Sequence, residues 1–285
     1  MSGADRFRTL RAHVRLDLAY VGRGPILVKG PDATLPERPD MAFIRYPTDV
    51  GEAPFLPGSS IKGVLRSGVE AALRALGEQA CDPFDRQGSC SARRAEERCE
   101  ACLLFGSMLG AGVACFSDAL PWRDGASTED RRRALAELEE RTTIRNGVGI
   151  DRRTGSAVRG ALFDYEVLVD PTFHGSVALR NPTRRQVELL ALGVRLLDEG
   201  MLRVGAGSSR GLGRLRAIPR TVEVLAVARE GVEGLLDGVA LPGPREEGLL
   251  LRWSSESVDG SAQERMRCAR EALAAWASSA GPRPR

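Results

Sequence analysis

Leu56-Pro57-Gly58-Ser59-Ser60-Ile61-Lys62-Gly63-Val64-Leu65-Arg66 runs a glycine-bearing loop directly into an amphipathic helix, and the reading of the fold turns on this stretch. Ile61, Val64, Leu65, Val69, Ala72, Leu73 and Leu76 fall on one stripe at helical spacing, the pattern of a helix laid on a core. Ser59 or Ser60 is placed to cap its start, and Gly58 and Gly63 admit a neighbouring backbone. The free N–H groups at the positive end of such a helix suit an anion, and Lys62 and Arg66 add charge there. A capped surface helix with no ligand fits the same residues.

Working outward, residues 11 to 20 alternate strictly, with Val14, Leu16, Leu18 and Tyr20 on one face and His13, Arg15 and Asp17 on the other, as in a half-buried strand. Residues 21 to 58 are rich in Gly and Pro and form a long excursion before the helix. Downstream, Phe163, Tyr165, Val167 and Val169 mark a second alternating strand, and Ser176 to Arg180 a third. A helix follows from about Arg184 to Leu197, then the loop Gly205 to Gly213, then a short strand to Ile218. This order is that of an α+β protein with a ferredoxin-like, RRM-like βαββαβ core over residues 1–218, interrupted by insertions. Residues 219–285 read as a C-terminal extension of short strands and a helix through Arg265 to Ser278.

Composition narrows the class of function. With 42% hydrophobic and 28% charged residues the chain is an ordinary globular one, and a net charge of +3 means that any RNA surface must come from local clustering. Among 41 basic residues only Lys29 and Lys62 are lysine, and each precedes a glycine, where a compact ammonium suits a phosphate. No apolar run approaches the roughly 20 residues of a membrane span, and the first ten residues lack a signal peptide's apolar core, so the expectation is a cytoplasmic chain without a membrane partner. Two separated histidines, His13 and His174, ill equip the chain for metal-independent acid–base cleavage of RNA.

Cys81, Cys90, Cys99 and Cys102 follow a C-x8-C-x8-C-x2-C spacing among Arg, Glu, Ser and Gly. Four soft ligands closing on a C-x2-C pair predict a structural Zn2+ that folds an insertion at about 77–103 and leaves no open coordination position. Free thiols in a loop are the alternative. Cys115, in the apolar run Val113 to Phe116, and Cys268, in a helical pattern, read as small buried hydrophobes.

Four segments occur in a telling order: Pro57 to Arg66, Leu104-Phe105-Gly106-Ser107 leading to Phe116-Ser117-Asp118-Ala119, Ile150 to Ala157, and Gly205 to Gly213. Together they resemble the repeat-associated mysterious proteins of type III CRISPR systems, in particular their Cas-seven-like backbone subunit over about residues 10 to 218. The cysteine-bearing insertion resembles that of the D subtype. The resemblance implies a subunit that polymerises along a CRISPR RNA, contacts other subunits of a type III effector complex, and cuts the complementary target RNA.

The resemblance also implies roles. Gly58, Ser59, Ser60, Lys62 and Arg66, with Lys29, would hold guide phosphates, and Gly207, Ser208, Ser209, Arg210 and Gly211 would form a second, mobile anion-binding loop near the same sheet edge. Residues 142–160, with Arg145, Arg152 and Arg153, resemble a thumb-like hairpin that distorts the guide–target duplex; a solvated basic hairpin is the alternative. Matching Asp40-Met41-Ala42-Phe43-Ile44-Arg45 to the family's catalytic loop selects Asp40, with Asp32 as the competitor, acting with a divalent metal such as Mg2+. Both aspartates also suit ordinary turns. The alternative functions are a non-catalytic CRISPR RNA scaffold of the same complex and a zinc-stabilised protein-interaction module.

Overall fold

The computed structural model describes residues 8–31, 39–85, 88–90, 97–108, 110–232 and 234–281. Asp32 lies outside the described residues. The architecture is mixed α and β with antiparallel sheets. Strand β1 (Ala12–Gly22) buries Val14, Leu16, Leu18 and Tyr20 and leaves His13, Arg15 and Asp17 half exposed, as the alternation requires. After the two-residue β2 (Pro25–Ile26) and the hairpin β3 (Arg45–Thr48) and β4 (Gly51–Pro54), helix α1 (Gly58–Ala75) buries Ile61, Leu65, Val69 and Leu73.

Next come α2 (Glu100–Phe105), β5 (Ala114–Phe116) and α3 (Thr128–Glu140), which Ser127 caps by accepting from the Asp130 N–H. The long hairpin β6 (Thr142–Ile150) and β7 (Ala157–Val169) leads to β8 (Thr172–Arg180). Helix α4 (Arg184–Asp198) opens on a capping box of Thr183 and Gln186 and packs beside α1, where Gly193 meets Val69 and Leu65. Strand β9 (Leu215–Ala226), β10 (Arg245–Glu247), β11 (Leu250–Ser254) and helix α5 (Ala262–Ser279) complete the chain.

The main sheet runs β10-β11-β9-β1-β8-β5, with antiparallel neighbours throughout. β1 lies between β8 (Leu16 opposite Val177) and β9 (Leu16 opposite Val222), so its apolar residues sit at the centre of the core. β9 runs past residue 219 to Ala226, and β11 pairs with it from Ser254 opposite Glu223 to Leu251 opposite Ala226. The C-terminal residues therefore extend the main sheet, and α5 packs on α4 and β9. The stretch from Phe163 to Val169, read from sequence as a core strand, is instead an arm of the hairpin in the sheet β2-β7-β6, and β5 takes the place beside β8. Asp151 sets the hairpin's turn, its carboxylate accepting from the Arg153 and Thr154 N–H groups at 2.7 and 3.0 Å.

Candidate nucleic-acid interface and cysteine centre

The start of α1 is held by a neighbouring strand end. Leu56 and Ala119 exchange backbone hydrogen bonds, and the Gly58 N–H donates to the Asp118 carboxylate at 2.7 Å. Pro57, not Ser59 or Ser60, is the N-cap residue, so the serine caps expected from sequence are replaced by a carboxylate from across the fold. A Cβ on Gly58 would lie 2.6 Å from the Phe116 carbonyl oxygen, so this glycine is required by backbone packing. Around Gly63 no atom stands within 4 Å of a would-be Cβ, so that helix face is open. Ser59 is exposed, and with Gly58 and Lys62 it lines a groove whose other wall is the cysteine cluster and the chain from Phe105 to Phe116.

Arg66 differs from Lys62. Its guanidinium donates to Glu70 at 2.7 Å, to the Gly106 carbonyl at 2.8 Å and to the Cys102 sulfur at 3.4 Å, tying α1 to the cysteine cluster. Cys115 also departs from the sequence reading: it is exposed and lines the same groove, because on edge strand β5 it points to the side opposite the packed residues. Cys268 is buried as expected.

The loop Gly205 to Gly213 is pinned. Gly205, Gly207, Gly211 and Gly213 all have φ between 72° and 88°, a region open to glycine. Ala206 N–H donates to the Leu27 carbonyl, Gly213 N–H to that of Pro25, and Val204 N–H to that of Gly213. Between these anchors one turn of 3-10 helix, Ser208–Arg210, stands exposed, so this segment is a fixed platform where the sequence suggested a mobile loop. It rests beside Leu27 and Val28, two or fewer residues before the exposed Lys29, whereas Gly58 rests on β5 at the sheet edge.

Asp40 occupies a third place. Its N–H donates to the Asp164 carboxylate at 2.7 Å and its own carboxylate accepts from the Asp164 N–H at 3.1 Å. Met41 bridges to Tyr165 of β7, the Phe43 N–H donates to Glu166, and Gly30 N–H donates to the Ala42 carbonyl. Arg45 grips Glu166 through both carboxylate oxygens at 2.5 and 2.7 Å. The groove lined by Lys62 does not include Asp40. Arg145, Arg152 and Arg153 are exposed on the hairpin, alongside exposed Ile144, Val148 and Leu162.

Cys81, Cys90, Cys99 and Cys102 are all buried, and their sulfurs lie within 4.8 Å of one another. Cys81 and Cys102 are 3.4 Å apart and Cys81 and Cys99 3.8 Å, close to the roughly 3.8 Å that tetrahedral geometry gives for zinc–sulfur bonds of about 2.3 Å. A hydrogen bond from Cys102 pulls the Cys99 thiol down, while the same bond and burial push Cys102 up. Four soft sulfur donors at these separations fit zinc. The Cys99 N–H on the Cys90 sulfur and Arg66 on Cys102 supply an outer shell that orients the ligands.

Two of the four sequence segments noted above meet in space: Pro57 to Arg66 packs on both halves of the second, Leu104 to Ser107 and Phe116 to Ala119. A family-wide sequence profile described as the RAMP superfamily matches residues 21–216, well over half of the chain. The chain belongs to the RAMP superfamily. Membership makes it a CRISPR-associated RNA-binding module, with CRISPR RNA and effector-complex subunits as its class of partner. A comparison with curated proteins found no match. No helix among the described residues is long and apolar enough to cross a membrane.

Sequence reasoning missed Asp118, Asp164 and Glu166 as organisers of these sites. Their partners lie 60, 124 and 121 residues away, and only the fold joins them.

Proposed function

We propose that this RAMP protein is a Cas-seven-like, guide-binding backbone subunit of a type III effector complex, of the D subtype, with a ferredoxin-like core. The strand order β9-β1-β8-β5, with α1 and α4 as crossovers, is the 4-1-3-2 order of a βαββαβ sandwich and supports that core. The observation that carries the function is the first turn of α1, where exposed Ser59 and half-buried Lys62 line a groove on a strand-braced helix end. Lys62 is the phosphate contact in this reading, and Arg66 supports it by fastening the helix. The platform Gly207 to Gly211 presents Ser208, Ser209 and Arg210 as a second set of backbone contacts, with Lys29 nearby.

Target cleavage rests on Asp40, whose carboxylate, fixed by the Asp164 N–H, would bind a divalent metal such as Mg2+; the metal supplies Lewis acidity at the scissile phosphate. Asp40 and Asp164 hold each other in a defined orientation, and the hairpin rooted beside them, bearing Arg145, Arg152 and Arg153, would bend the paired strands there. A scaffold that binds and never cuts uses the same Lys62 and Arg210 contacts. Guide RNA binding is the direct test: Lys62→Ala with Arg210→Ala should weaken it at least tenfold at 150 mM salt and flatten the slope of log affinity against log salt by about two units, one for each lost phosphate contact. Unchanged affinity and slope in a filter-binding titration would remove the guide-binding reading.

A further inference from the structure

The sheet face that carries Arg15 and Asp17 holds a cavity of about 620 Å³ to which none of the roles above applies. Arg220 enters it from a bulge in β9: Thr221 pairs with Asp17 and Pro219 with Leu18, so Arg220 is the residue left without a partner on β1. A bulge re-aims the side chain it carries. This guanidinium has no carboxylate to meet among the described residues. Its Nε is buried without an acceptor, and its Nη1 contacts the Met266 sulfur at 3.1 Å.

The charges around it are unevenly paired. Arg15 is matched by Asp17 and Asp124, and Arg265 by Glu256, whereas Arg123 lines the cavity with no carboxylate in ion-pair range among the described residues. Burial, then Arg123 and Arg270, depress the Arg220 pKa; burial, then Arg123 and Arg220, lower that of His174 to about 4, so its imidazole is neutral at pH 7. The first turn of α5 adds its positive end through Ala262 and Gln263, beyond the Ser261–Glu264 capping box. A part-buried guanidinium beside another, with no anion, is an uncompensated charge that costs stability. An anion from outside the chain would compensate it.

We propose that this cavity binds the phosphoryl group of a nucleotide, held by Arg220 and Arg123 with His174 beside it. Paired guanidinium forks and a helix end suit a tetrahedral, multiply charged anion. The volume admits a whole nucleotide. Asp17, Asp118, Asp124 and Glu256 in the lining repel a continuing polyanion, so the ligand is a single nucleotide, either free or at the end of a strand.

The full chain is titrated with adenosine 5′-monophosphate, with inorganic phosphate, and with 5′-phosphorylated and 5′-hydroxyl hexanucleotides, which separate the free from the terminal form. The nucleotide should raise the melting temperature and raise the His174 pKa seen by NMR, because a bound anion favours the imidazolium. Arg123→Ala, an exposed change, should lower affinity at least tenfold. Arg220→Met should abolish the response while raising the melting temperature of the unliganded protein. Lys62→Ala should leave the response intact, so failure here is distinct from failure of guide binding. No response at millimolar nucleotide, an equal response to acetate at matched ionic strength, or a lower unliganded melting temperature for Arg220→Met would overturn the proposal.

Discussion

At the scale of single residues, what matters is which polar groups are already spent. The Asp118 carboxylate takes the first free N–H of α1, Arg66 is committed to Glu70, Gly106 and Cys102, and Lys62 and Ser59 remain on the groove. Sequence spacing singled out Lys62 and could not show that Asp118 caps this helix, because nothing in a linear pattern tells which distant carboxylate will do so. Asp40 is selected by its distance from Pro57 and by matching the trailing Ile44-Arg45 to the family's loop, and Arg45 anchors that loop through Glu166. If Asp40 is the metal-binding carboxylate, Asp40→Ala in the assembled complex should abolish metal-dependent cutting of complementary RNA while guide and target binding persist, since the change removes a transition-state contact and not a ground-state grip. Gel analysis showing normal cutting by the variant would move the assignment to another carboxylate, and a wild-type complex that binds and never cuts would make the subunit a scaffold.

At the scale of elements, periodicity was a good guide where one face is buried and a poor one elsewhere. β1, β8, α1 and α4 were legible because each lays an unbroken apolar stripe on the core. Helix α3 was missed because Leu135 and Leu138 are its only buried residues and charge covers the rest, leaving Ser127 and Asp130 as its only signal. β3 and β4 were missed because four-residue strands are shorter than the alternation needed to see them. The sequence reading puts the hairpin at 142–160, but β7 continues it to Val169, and its root was not legible: Glu166 on β7 binds Arg45 and the Phe43 N–H, joining the hairpin to the Asp40 loop. Glu166→Gln keeps the shape and removes the charge, leaving Arg45 part-buried and unpaired. The expected cost is about 2–3 kcal/mol in urea unfolding, with the Asp40 loop more open to proteolysis. A change under about 0.5 kcal/mol would show that the pair is replaceable by solvent.

At the scale of the whole molecule, the core and its additions share one sheet. The sequence reading placed a boundary near residue 218 because the βαββαβ order is complete there, yet β9 continues to Ala226 and offers its far edge to β11. A long strand with a free edge invites pairing, and the C-terminal residues cover that edge. The cysteine cluster works in a comparable way on the other flank: Cys81, Cys90, Cys99 and Cys102 belong to the same apolar core as Leu65 and Leu73, and Arg66 joins them to α1. The lining of the groove beside Lys62 therefore depends on how those four sulfurs are held together. Purified protein should carry about one zinc per chain, and Cys99→Ser should lose it. Because the ligands bind metal only as thiolates, zinc should be released as pH falls and retained at neutral pH and above. Stripping the metal with a chelator at neutral pH should cost on the order of 4 kcal/mol at a thousandfold excess of free zinc over its dissociation constant, lowering the melting temperature by roughly 10 °C. It should also weaken guide RNA binding, because the wall opposite Lys62 loosens. Elemental analysis without zinc, or chelation that moves neither melting nor binding, would reduce the cluster to four packed thiols and leave the groove to be shaped by Asp118 and Arg66 alone.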